Sequence, residues 1–109
     1  MINVTVSRNS LGQVYQFIIE NHSSKLICAA VSILSQNTVN SIEAFTDEKI
    51  EYEYDISGGF LDFCLPDLKN GGENHDVTLL LDTLLLGLGS LREAYPGSIQ
   101  IIEQEVPKC

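Results

Sequence analysis

Two stretches with helical apolar spacing, Leu26 to Ala44 and Val77 to Tyr95, stand between groups of short alternating segments, and this arrangement restricts the possible folds more than any other feature of the chain. In the first stretch Ile27, Val31, Leu34, Thr38, Ile42 and Phe45 recur at steps of three or four, which puts them on one helical face, and Ser23 or Ser24 supplies a capping oxygen. In the second, Val77, Leu80, Leu81, Leu84, Leu88 and Leu91 do the same, with Asp76 as the expected cap and Pro96-Gly97 as the stop. Each helix needs an apolar surface to cover, and the segments between them supply it.

Ile2, Val4 and Val6 alternate with polar residues, Asn9-Ser10-Leu11-Gly12 has turn chemistry, and Val14 to Ile19 is β-rich, so a hairpin is expected at the start. Ile50, Tyr52, Tyr54 and Ile56 alternate with Lys49, Glu51, Glu53 and Asp55, the pattern of a half-buried strand with one acidic face. Ser57-Gly58-Gly59 then turns the chain into a partner strand from Phe60 to Leu65. Pro66 to Asn74 reads as a polar loop, and Ile99 and Ile101 open a last strand running to about Glu105. The order ββαββαβ predicts an α+β fold: a two-layer sandwich of a mostly antiparallel sheet and two helices, one domain over residues 1–109. Leu79 and Leu86 lie off the main stripe of the second helix, which points to a homodimer contact or to a helix surrounded on all sides.

Six Lys and Arg against fifteen Asp and Glu give a formal charge of -9, which opposes phosphate backbones and favours a basic protein or peptide as partner over nucleic acid. Cys28, Cys64 and Cys109 show neither a disulfide framework nor zinc-ligand spacing, the usage of a reducing cytoplasm. His22, His75, Cys28 and Cys64 likewise match no metal signature, and no cofactor is indicated. No secretion signal is visible, and the apolar run from Val77 to Leu91 is too short and too interrupted to span a membrane.

Chemistry concentrates between Asn21 and Ser32. His22 stands six residues before Cys28, on the connection leading into the first helix, with Cys28 in its first turn. The first amides of a helix lack intrahelical acceptors and place partial positive charge near the thiol, which favours a thiolate. An imidazole there can take the thiol proton and return it to a leaving amine, while helix amides donate to an oxyanion, so acyl transfer is the implied reaction. Ser32 lies one helical turn beyond Cys28, where its hydroxyl meets thiolate or substrate, or else bonds a carbonyl of its own helix. Taken on residue types alone, a cysteine opening a helix is most often a small buried hydrophobe, His75 is an ordinary loop residue, and Cys64 and Cys109 are packing and tail residues.

The block from His22 to Cys28, continuing Cys28-Ala29-Ala30-Val31-Ser32, resembles the signature of the ribosomal-processing cysteine proteases of the Prp family. The resemblance extends over nearly the whole chain, through element order, acidic character and the Tyr95-Pro96 pair after the Leu-rich helix. It implies a cytoplasmic, homodimeric cysteine endopeptidase that removes a short N-terminal leader from a large-subunit ribosomal protein, cutting after an aromatic pair. Cys28 then matches the nucleophile, His22 the base and Ser32 a supporting serine. Asn21 replaces the family's glycine, which a left-handed backbone would accommodate. Lys25 stands where many members have Asp, and the connection from His22 to Cys28 is shorter than in familiar members. The alternative function is a non-catalytic dimeric module that holds a basic ribosomal protein on the same acidic surface.

Overall fold

The computed structural model of the chain describes residues 1–55 and 59–104. The expected turn residues Ser57 and Gly58, the strand position Ile56, the strand end at Glu105 and Cys109 lie outside the described residues.

Alternation at the start produces β1 (Ile2–Arg8) and β2 (Val14–Glu20), paired antiparallel with Val4 opposite Ile19 and Val6 opposite Phe17. Helix α1 follows (Lys25–Phe45), then β3 (Glu51–Tyr54) and β4 (Phe60–Cys64), a second antiparallel pair. A one-turn helix α2 (Pro66–Lys69) leads to α3 (His75–Ala94) and β5 (Ile99–Glu103). The sheet order is β3-β4-β2-β1-β5, with β5 parallel to β1 and every other pair antiparallel. The α+β architecture with its mostly antiparallel sheet is therefore present as expected.

Several local expectations change. The loop from Pro66 contains α2 because proline suits a first helical position and Leu68 can be fully buried from there. Asn74, rather than Asp76, caps α3, its side-chain oxygen accepting from the Val77 N–H at 3.1 Å, so Asp76 falls in the first turn instead. Ser24 caps α1 by accepting from the Ile27 N–H at 3.3 Å. Phe45, expected on the buried stripe of α1, ends the helix 78% exposed, and Ser35 and Val39 are buried where the stripe drifts around the helix. The drift is what 3.6 residues per turn impose on a long helix.

The core lies between the helices and one sheet face. Val31 and Ile42 of α1 and Leu81, Leu84 and Leu88 of α3 are buried in one cluster with Phe17 of β2 and Phe63 of β4, whose rings stack with centroids 5.4 Å apart. Leu79 and Leu86 are exposed, so α3 is not surrounded within one copy of the chain. β3, expected half-buried, is exposed at all four positions, because it is the sheet edge with only β4 beside it. Among the described residues no helix is long and apolar enough to cross a membrane.

Candidate active site

β2 ends at Glu20, opposite Phe60 of β4, and this register decides what surrounds His22. Asn21 leaves the strand at φ 72°, the left-handed conformation that asparagine tolerates, and its N–H donates to the Gly59 carbonyl at 2.9 Å. His22 is exposed, its carbonyl accepts from the Met1 amino group at 3.0 Å, and its imidazole lies directly over Gly59. Gly59 has φ +88°, and a Cβ there would collide with the ring, 2.7 Å from Cε1 as well as against Nε2. The absence of a side chain at residue 59 thus makes room for the histidine.

The chain next meets Ser23 and Ser24 and turns into α1. Cys28 is partly buried, its N–H bonds the Ser24 carbonyl at 2.9 Å, and its sulfur lies against the Ser23 main chain. The Ser23 N–H donates to Sγ at 3.3 Å, and the thiol is 3.5 Å from the Ser23 carbonyl. The helix amides are less available for an oxyanion than their position alone implies. Ile27 N–H is occupied by Ser24 Oγ and Cys28 N–H by the cap carbonyl, whereas Lys25 and Leu26 have no acceptor among the described residues.

His22, Cys28 and Ser32 line one cavity of about 180 Å³, together with Asn21, Ser35, Gln36, Tyr54, Asp55 and Phe60. The imidazole and the thiol share this space with no hydrogen bond between them among the described residues. Such contacts commonly tighten only when substrate is bound. Ser32 is exposed, and no bond of its hydroxyl to a described residue is formed. The back-bonding open to a helical serine is made by Ser35, whose Oγ donates to the Val31 carbonyl at 2.7 Å. Gly59, Tyr54 and the Ser23 main chain are the members of the site that sequence reasoning missed. The turn chemistry of Ser57-Gly58-Gly59 was the available sequence signal for Gly59.

The remaining candidates lie elsewhere. His75 opens α3, exposed and outside the cavity. Cys64 is buried in β4 and disulfide-bonded, which corrects both its plain packing role and the expectation, drawn from cysteine spacing, that no disulfide forms. No group of three His, Cys, Asp or Glu side chains among the described residues is arranged to hold a metal ion.

The family model for the cysteine protease Prp matches residues 1–100. The chain belongs to the Prp cysteine protease family. It is 28% identical over 107 residues to the ribosomal processing cysteine protease Prp of two Staphylococcus aureus strains, covering 93% of this chain and 97% of theirs. The crystal structure of the essential S. aureus Prp with a covalently linked product peptide superposes with a TM-score of 0.87 at 29% identity, over 95% of this chain and all of that one. The same protease with a substrate peptide gives 0.83 at 27% identity, with the same coverage. A Streptococcus mutans protein gives 0.78 at 28% identity, covering 95% of this chain and 96% of that one. Membership makes this chain a cysteine protease acting in ribosomal processing.

Proposed function

We propose that Cys28 is the nucleophile and His22 the base of an endopeptidase that trims a short leader from the N-terminus of a basic large-subunit ribosomal protein. The observation that carries this reading is the single cavity in which a helix-opening thiol, an imidazole and the Ser32 hydroxyl face the same space. The peptide carbonyl enters that space, the thiolate attacks its carbon, and the tetrahedral oxyanion collapses to a thioester as His22 passes the thiol proton to the leaving amine. Water, deprotonated by His22, then releases the carboxylate and returns the thiol. Ser32 Oγ supports the step from one turn along α1. The Ser23 N–H and carbonyl both contact the sulfur and hold it at the start of α1.

Residues 1–109 act as one domain in this reading, in the cytoplasm where ribosomal proteins are assembled. Cutting follows an aromatic residue, and the excess of acidic side chains draws the basic substrate. Two copies associate through α3, where Leu79 and Leu86 stand 58% and 73% exposed. The named S. aureus relatives are ribosomal processing proteases, one crystallised with a substrate peptide, which supports a peptide substrate here.

The test is cleavage of a synthetic peptide bearing the leader of the cognate ribosomal protein. The unaltered protein cuts it; Cys28→Ala leaves no turnover, and His22→Ala falls by at least about a hundredfold, the usual share of a general base. Retained cutting by Cys28→Ala would overturn the nucleophile assignment, and no cutting by the unaltered protein would leave the non-catalytic binding module in its place.

A further inference from the structure

The core cluster takes Val6, Phe17 and Phe63 from one face of the sheet together with the buried residues of α1 and α3. The opposite face nevertheless carries a buried row. Ser7 pairs with Gln16 and Gln16 with Cys64, which puts the three side chains in line across β1, β2 and β4, and they are 1%, 0% and 4% exposed. The next row on that face, Thr5, Ile18 and Asp62, is half-buried, and beyond it Glu20 and Phe60 are exposed. Cover on this face is therefore graded toward a single line.

The chain leaves β5 on that line. The Gln104 N–H donates to the Val6 carbonyl at 3.0 Å, and the Ser7 hydroxyl donates to the Gln104 carbonyl at 2.9 Å. Residues 105–109 follow in the sequence. At the far end of the line Cys64 is disulfide-bonded, while Cys28 is a free thiol, and the sequence holds one further cysteine, Cys109. From Ser7 to Cys64 is two interstrand spacings, about 10 Å; five residues of extended chain reach about 16 Å, and a disulfide joins Cα atoms about 5.5 Å apart. The last five residues are long enough to cross β2 and meet Cys64.

We propose that Cys109 is the disulfide partner of Cys64, so that residues 105–109 close over the line of Ser7 and Gln16 as a redox-dependent clasp. The occupant of this face is the chain's own end, because Gln104 delivers it there and Cys64 requires a second sulfur. Closure is thiol–disulfide exchange with a low-molecular-weight disulfide as the oxidant. The Cys109 thiolate attacks one of its sulfurs and expels one thiol; the Cys64 thiolate then attacks the Cys109 sulfur, expels the second thiol and completes the bond. Two protein thiols and one small disulfide thus become one protein disulfide and two small thiols. Excess dithiol reverses the exchange, so in a reducing compartment the clasp is conditional. Cys28 is outside the pair and takes no part.

The experiment uses the full chain incubated with oxidised glutathione, alkylated with iodoacetamide, digested without reduction and mapped by mass spectrometry. One linked peptide pair, Cys64 with Cys109, should appear, and dithiothreitol should abolish it. Thermal unfolding of the oxidised protein should lie about 10 °C above that of the dithiothreitol-treated protein, the effect of closing a loop of this length. Cys109→Ser should unfold at the reduced protein's temperature in both buffers; it leaves the buried Cys64 in place, so the shift reports the bond rather than a core defect. Cys64 recovered alkylated, joined to glutathione, to Cys28 or to a second copy, or a Tm indifferent to dithiothreitol, overturns the clasp.

Discussion

The two hairpins begin from the same alternating pattern and end in opposite environments. In the first, Ile2, Val4, Val6, Phe17 and Ile19 are all buried, since β1 and β2 each have a strand on either side and helices over one face. In the second, β3 has a neighbour on one side only, and Tyr52 and Tyr54 remain exposed. Alternation states which side chains share a face; the neighbours decide whether that face becomes core. Here the uncovered face is the one that adjoins the cavity of Cys28.

The sharpest way to break this contrast is to truncate one aromatic residue in each hairpin. Phe17→Ala removes a fully buried ring and its stack on Phe63, and should lower unfolding free energy by about 3–5 kcal/mol in urea titrations. Tyr52→Ala marks the other end of the scale, and a loss comparable to that of Phe17→Ala would show that β3 belongs to the core after all. Between them lies Gly59→Ala. It forces alanine to φ +88° and displaces the imidazole, so stability should fall by about 1–2 kcal/mol and peptide cleavage by about tenfold or more. Alkylation of Cys28 by iodoacetamide should persist in that variant, showing that α1 and its thiol remain in place.

A smaller effect is expected at Ser24. Ser24→Ala frees the Ile27 N–H and should cost about 1 kcal/mol, read from the urea midpoint, as should Asn74→Ala at the start of α3. Tyr52→Ala should change stability by no more than about 0.5 kcal/mol, the usual range for exposed positions.

Much of the fold was legible because its determinants are local. The spacing of Ile27, Val31 and Ile42, the β-rich run of β2 and the stop at Pro96-Gly97 each act within a few residues. The exposure of β3 was not legible, since it depends on strand order and on how far α1 extends over the sheet. The cap of α3 was misplaced by two residues because Asn74 and Asp76 are both good capping types, and the choice falls to whichever side chain reaches a free amide. In the site, type and spacing singled out His22, Cys28 and Ser32 and the family resemblance gave them their expected roles, and all three line the same cavity. Gly59 was missed as a site residue because its meaning arises only when β4 is set beside β2. The expectation that the amides at the start of α1 are open was too generous, since Ser24 engages both its own helix turn and the Cys28 N–H.

The contact between Ser23 and the Cys28 sulfur is made entirely by main-chain atoms of residue 23. Its side chain is therefore free to drift through evolution while the thiol keeps its neighbour, and proline, which lacks the N–H, is the one replacement that deletes the donor outright. Gly59 has the opposite standing, since every other residue type adds an atom where the imidazole already sits. A mutational scan of this family member should accordingly find position 23 permissive and position 59 closed, although they flank the same histidine in space.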